Sequence, residues 1–201
     1  MLEEYKKIIK KKMSEKRYIH SVNVSNMAVK LAKKYGADEL KAELAGLLHD
    51  ITKEMPDEYH LKLIKNSGIK LNAIEKRSKK LWHSISGALF IQKELHISDE
   101  EIINAVRYHT TGRENMTLLE KIIFIADSIS EDRKYENIKF IRKVAFEDIN
   151  ESMICCLRLS IENLVFKSKL IAEETFNTYN AMLIKYGAKC QLRSVLSDEV
   201  R

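Results

Sequence analysis

The chain contains one proline and six glycines in 201 residues. An all-β chain needs a turn about every ten residues, built largely from Gly, Pro, Asn and Asp, whereas long helices need few such breaks. The scarcity of both residues therefore points to an all-α fold. Hydrophobic residues make up 45% and charged residues 32%, too apolar for a disordered chain and too charged for a membrane bundle. The length suits one domain with a buried core. Apolar runs such as Ile122–Ala126 fall far short of the roughly 20 residues that span a bilayer. The N-terminal MLEEYKKIIKKKM has no apolar stretch behind its charges, so no signal peptide is expected. Cys155, Cys156 and Cys190 lack metal-ligand spacing and read as reduced thiols in a cytoplasmic protein. A net charge of +6 permits an anionic ligand without requiring one.

Periodicity places helices over Glu3–Met13 and Glu15–Tyr35, the second closed by Gly36 as a C-terminal cap. Asp38 opens a helix carrying Leu40, Leu44, Leu47 and Ile51, and Pro56 starts another that Gly68 ends. Further helices are expected over His83–Leu95, Asp99–Tyr108, Leu118–Ile129, Asn137–Asp148, Glu151–Lys167 and Glu173–Tyr186. Ser98 with Glu101 reads as a capping box for the helix at Asp99. Residues 1–186 form one expected domain, and weak periodicity in 187–201 suggests a tail.

Function is sought where polar residues fall on apolar helix faces. His20 leads the stripe Val24, Ala28, Leu31 and Tyr35, so it points toward the core. His49 follows the small residues Ala42, Ala45 and Gly46, which let a neighbouring helix approach closely, and Asp50 is expected on the Leu47 side of the same helix. Asp127 shares a face with Leu119 and Ile123. A carboxylate aimed into such a surface costs several kcal/mol unless a cation compensates it. Each imidazole alone is more often a hydrogen-bonded core side chain than a ligand. Together, two imidazoles and two carboxylates from separate segments suit a divalent iron, manganese, cobalt or zinc ion in an open site. Without thiolates, a closed structural zinc site is not expected.

His83 opens a helix after Trp82, and His109 ends one ahead of the turn Thr110-Thr111-Gly112; such a turn offers hydroxyls and amides to an anion, or is simply a turn. Arg17 and Lys53 lie one turn from His20 and Asp50, where they can clamp phosphate or remain surface charge. His60, read as near an exposed helix start, and His96, read as near a helix C-terminus, are assigned structural roles.

The order His20, His49-Asp50, Asp127 resembles the HD-domain metal-dependent phosphohydrolases. The segments Ile19–Gly36, Ala45–Pro56, Leu81–Ala88, Tyr108–Arg133 and Glu174–Asn180 resemble, in order, the YqeK-type bacterial family of symmetrical diadenosine tetraphosphate hydrolases. The resemblance implies a helical bundle with a central metal site. It implies His20, His49, Asp50 and Asp127 as ligands of an iron-type cation. It further implies nucleotide contacts from Arg17, Asp50, Ile51, Thr52, Lys53, His83, His109, Thr110, Thr111, Arg133 and Thr175. Departures from the family occur at Ser128-Ile129-Ser130-Glu131 and Ser84-Ile85-Ser86, neither touching an expected ligand.

The implied reaction is attack of a metal-bound water on a phosphorus beside the central bridging oxygen, releasing two ADP. In it Asp50 is ligand and proton acceptor, and His83 and His109 contact the departing phosphates, donate a proton, or hold a second metal ion. Two alternatives stand beside this: an HD hydrolase of another nucleotide (a triphosphate, a guanosine alarmone or a cyclic nucleotide), and a non-catalytic nucleotide- or RNA-binding module. The expected partner is a dinucleoside polyphosphate; neither a membrane nor a specific nucleic acid is expected, and a homodimer is left open.

Overall fold

The computed structural model describes residues 2–187, and among these the secondary structure is entirely helical. In chain order the helices are α1 (Leu2–Lys12), α2 (Glu15–Tyr35), α3 (Glu39–Leu48), α4 (Asp57–Asn66) and α5 (Ala73–Arg77), then a 3-10 turn (Lys79–Leu81) leading into α6 (Trp82–Lys93). They continue as α7 (Glu100–Tyr108), α8 (Leu118–Ile129), α9 (Ile138–Glu147), α10 (Ile149–Phe166) and α11 (Glu173–Tyr186). The expected all-α architecture is present. The expected tail lies, except for Gly187, outside the described residues. No helix among the described residues is long and apolar enough to cross a membrane.

Local chemistry sets the helix ends. Ser14 accepts from the Arg17 amide at the start of α2, and Gly36 closes that helix at φ 71°. Thr117 and Glu120 form a complete capping box on α8. Side-chain caps of this kind satisfy amides that have no intrahelical partner. α8 runs through the middle of the bundle, packed on α2, α3, α7 and α10. Its Ile122, Ile123, Ile125, Ala126 and Ile129 are completely buried, so Asp127 emerges from the most apolar helix of the fold.

The small-residue stripe has its expected consequence. A Cβ added at Gly46 would stand 2.8 Å from the Ser25 Cα and 3.1 Å from its N, so the α3 backbone lies directly on α2. The Ser25 hydroxyl donates to the Glu43 carbonyl at 2.8 Å across this contact. His49, which caps the C-terminus of α3, is thereby carried against the face of α2 that bears His20.

Several local expectations are corrected. α3 stops at Leu48, so His49 and Asp50 lie in the turn beyond the helix; that turn lets successive residues both face inward, which adjacent helical positions do not allow. Asp99, not Ser98, caps α7, its carboxylate accepting from the Glu101 and Ile102 amides. α5 was not anticipated, although Asn72 and Glu75 form a capping box at its start. His60 is buried, accepting from the Ser86 hydroxyl at 2.7 Å and donating to the Met55 carbonyl at 3.1 Å, because α4 lies on α6. His96 adopts the left-handed conformation (φ 53°) beyond the end of α6. Cys156 is a free buried thiol.

Replacing Gly46 by Ala tests the helix contact. Its new methyl meets backbone, so overpacking outweighs the gain in helix propensity, and the net loss is about 1–2 kcal/mol of stability by chemical denaturation. An unchanged or raised midpoint would show that α2 and α3 are not in contact as described.

Candidate metal centre

Four imidazoles and two carboxylates converge at the centre of the bundle. His20 comes from the second turn of α2, His49 and Asp50 from the turn after α3, His83 from the first turn of α6, His109 from the end of α7 and Asp127 from α8. The four histidines and Asp50 are almost wholly buried. Asp50 Oδ2 lies 3.4 Å from His49 Nε2 and 4.0 Å from His20 Nε2. Asp127 Oδ1 lies 3.0 Å from His20 Nε2 and 3.8 Å from His49 Nε2. The other Asp50 oxygen, Oδ1, is 3.2 Å from His83 Nε2 and 3.6 Å from His109 Nε2.

Each imidazole is anchored through its other nitrogen. His49 Nδ1 donates to the Gly46 carbonyl, His83 Nδ1 to that of Lys80 and His109 Nδ1 to that of Val106, each at 2.7 Å. His20 Nδ1 lies 2.8 Å from Asp132 Oδ2, and an ionised carboxylate only accepts, so Nδ1 carries the proton there too. With Nδ1 so engaged, a ring in its neutral form has its lone pair on Nε2, turned to the centre toward carboxylate oxygens that are also acceptors. His20 Nε2, His49 Nε2 and Asp50 Oδ1 are buried with no hydrogen-bond partner, although buried polar atoms are nearly always satisfied. Facing acceptors at these distances repel one another unless a cation lies among them. Ligand atoms of His20, His49 and Asp50 fall within 4.8 Å of one another, as do those of His49, His109 and Asp127, and of Asp50, His83 and His109. The donor set fits a divalent cation of the first transition row.

Cationic side chains ring this cluster. Arg17 Nη1 is 2.7 Å from Asp50 Oδ2, and Lys53 Nζ is 3.6 Å from Asp50 Oδ1 and 2.9 Å from His83 Nε2. Arg133 pairs with the Asp127 carboxylate and donates through Nε to the Asp127 carbonyl at 2.8 Å. Burial alone would raise the Asp50 carboxyl; the imidazoles of His49, His109 and His83 packed around it outweigh burial and hold the group well below the usual range. Asp127 is likewise held low against its burial, by His20, His49 and Arg133. Burial pushes His83 down to about 3 and lowers His109 as well, so both are neutral near pH 7.

The structure brings the residues expected from the sequence together unevenly. His20, His49, Asp50, Asp127, His83, His109, Arg17, Lys53 and Arg133 meet in the cluster, and Thr110 Oγ1 lies 3.1 Å from His109 Nε2. Ile51 is a buried core residue, and Thr52 spends its hydroxyl on the His83 carbonyl at 2.9 Å. Thr111 is buried with its hydroxyl on the Gly112 carbonyl, and Thr175 is buried near the start of α11. Asp132 was not anticipated. It follows α8, where no periodicity indicates the direction of a side chain; its one sequence signal is its position among acidic and basic residues after Asp127.

The HD-domain family matches residues 17–132, the stretch that supplies every residue of the cluster except Arg133. The chain is 38% identical over 178 residues to the symmetrical bis(5'-nucleosyl)-tetraphosphatase of Bacillus subtilis (strain 168), covering 89% of this chain and 95% of that protein. It is 39% identical over 147 residues to the protein of the same name from Staphylococcus aureus, covering 72% and 74%. A crystal structure from Clostridium acetobutylicum, described as a predicted HD superfamily hydrolase involved in NAD metabolism, superimposes with a TM-score of 0.90 at 34% identity, covering 92% of this chain and 98% of that one. The chain belongs to the HD-domain family and, within it, to that of the symmetrical bis(5'-nucleosyl)-tetraphosphatases.

Asp132 holds the His20 tautomer from outside the cluster. Asp132→Ala should weaken divalent-metal affinity about ten- to a hundredfold, as read by competition against a chelating dye. Wild-type affinity in this variant would show that the contact does not orient His20.

Proposed function

We propose that the chain is a divalent-metal-dependent hydrolase that splits diadenosine tetraphosphate at its central anhydride into two ADP. Membership of the tetraphosphatase family supports the substrate. The observation that carries the reading is the set of buried acceptors facing one another at the centre, with Arg17, Lys53 and Arg133 beside them. His20, His49, Asp50 and Asp127 would hold the cation, with iron(II) the proposed ion and manganese, cobalt or zinc as substitutes. When bound, it supplies a Lewis acid and lowers the pKa of water.

The chain's own residues supply orientation and charge. Water adds across the central P–O–P bond: its oxygen forms the new bond to one phosphorus, and the bridging oxygen leaves with the other diphosphate. A diphosphate leaving group carries its charge on several oxygens, so the task is electrostatic stabilisation rather than full protonation. Arg17, Lys53 and Arg133 are placed to supply it. His83 and His109 spend their Nδ1 protons on backbone carbonyls, which suits them as acceptors or ligands and disfavours proton donation from Nε2. The Asp50 carboxyl, held well below the usual range, acts as ligand and orienting acceptor rather than as a store for protons.

Hydrolysis in oxygen-18 water should give ADP as sole nucleotide product, with label on the terminal phosphate of half the molecules. Asp127→Ala should remove metal and lower the rate about a hundredfold or more. Release of ATP with AMP, or of pyrophosphate, or full turnover in the variant, would overturn the reading.

A second reading concerns ion number. His83 Nε2 and His109 Nε2 stand 3.1 Å apart beside Asp50 Oδ1, an acceptor triad that would suit a second cation. Metal analysis of protein purified without chelator should then exceed one equivalent per chain and fall to one in the His83→Ala/His109→Ala double variant. One equivalent in both proteins would leave the histidines as phosphate contacts alone.

A further inference from the structure

Three polar side chains from three segments join behind the turn that carries Asp50. Thr52 comes from that turn, His60 from α4 and Ser86 from α6, and all three are buried. The Ser86 hydroxyl donates to His60 Nδ1 at 2.7 Å, and its oxygen lies 2.9 Å from that of Thr52. Thr52 donates to the His83 carbonyl at 2.9 Å, and His60 Nε2 donates to the Met55 carbonyl at 3.1 Å. Burying two hydroxyls and an imidazole is costly even when they are paired; what such a network supplies is position. Its holds fall on either side of Lys53: Thr52 is gripped through its side chain and Met55 through its carbonyl. Between them the Lys53 amide donates to the Asp50 carbonyl at 2.9 Å and the Met55 amide to the Thr52 carbonyl at 3.0 Å. A Cβ at Gly87 would stand 3.5 Å from Thr52 Oγ1 and 3.7 Å from the His49 carbonyl, so α6 lies directly over this turn.

We propose that the Thr52–Ser86–His60 network is a positioning device for Lys53. It fixes the backbone on both sides of this residue and so aims its ammonium at the phosphates beside Asp50. Ser86 and His60 are positioning residues that act through Lys53 and not on the substrate. The His83 ring has its own anchor in the Lys80 carbonyl, and the His83 carbonyl serves the network only as its hold on α6. Lys53 has no such anchor. Its flexible side chain is 32% exposed, yet Nζ stands 2.9 Å from His83 Nε2 and 3.6 Å from Asp50 Oδ1. A long, freely rotating cation reaches one place reproducibly only from a fixed base. The proposal rests on the reading of Lys53 as a phosphate contact.

The probe is inorganic tripolyphosphate, its affinity for the manganese-loaded 201-residue chain read by calorimetry, which measures the anion contact apart from the reaction. Ser86→Ala should weaken tripolyphosphate about fivefold and lower kcat on diadenosine tetraphosphate about tenfold, with manganese affinity within about twofold of wild type. In the Lys53→Ala background the same substitution should change neither reading further, because effects that pass through one residue do not add. Wild-type tripolyphosphate affinity in Ser86→Ala, or in Lys53→Ala alone, overturns the proposal. So does an equal further loss on top of Lys53→Ala, or a parallel loss of manganese, either of which shows general support of the turn. Where circular dichroism shows that Ser86→Ala does not fold, Thr52→Val, which removes the other hydroxyl at nearly the same shape, decides by the same readings. Product analysis of the wild type is read separately. Non-additive affinities with no ADP formed uphold the positioning and reject the reaction; two ADP with additive affinities leave the reaction standing and reject the positioning.

Discussion

The constraint on which the centre depends is the mutual repulsion of lone pairs in a buried space. His20, His49, His83 and His109 turn Nε2 inward, and Asp50 and Asp127 turn carboxylate oxygens toward the same point. No rearrangement of protons among neutral rings and ionised carboxylates satisfies all of these atoms at once, because each ring has already given its Nδ1 proton to an outer partner. Positive charge must enter. Arg17, Lys53 and Arg133 provide part of it from the rim, and a divalent ion completes it. Paired and coordinated in this way, buried charge becomes tolerable.

The bundle meets that constraint with ordinary means. A glycine lets α3 lie on the backbone of α2, which sets the spacing of His49 from His20. An isoleucine-rich α8 fixes Asp127 by burying the helix around it. Three of the four rings are held by carbonyls three residues earlier in the chain, so the ends of α3 and α7 and the start of α6 orient their own imidazoles. Rigidity at the centre thus comes from helix termini as much as from packing.

Residues inside periodic segments were legible from the sequence for a physical reason: on a helix, spacing gives direction. The face shared by Leu119, Ile123 and Asp127, the stripe behind His20 and the small residues before His49 all reveal which way a side chain points. Direction is lost where a helix stops. His49 and Asp50 were assigned to a helix that ends one residue earlier. His60 was read as exposed because the packing of α4 on α6 is a tertiary fact. Asp132 and Tyr135 sit in an irregular stretch whose side chains take their directions from hydrogen bonds made by distant residues. The likeness to a known family supplied the expected substrate and ion, which periodicity alone does not name.

That irregular stretch carries a constraint of its own. Between the last turn of α8 and the start of α9, Asp132 reaches His20, Arg133 reaches Asp127, and the Tyr135 hydroxyl donates to the Ser128 carbonyl at 3.0 Å. Arg142 gathers the carbonyls of Ile129, Ser130 and Arg133 from the α9 side. The stretch works as a ruler whose marks are residues: a change of identity at an unmarked position alters one spot, whereas gaining or losing a single residue would throw every mark out of register together. Natural variation here should accordingly be generous in letters and strict in length.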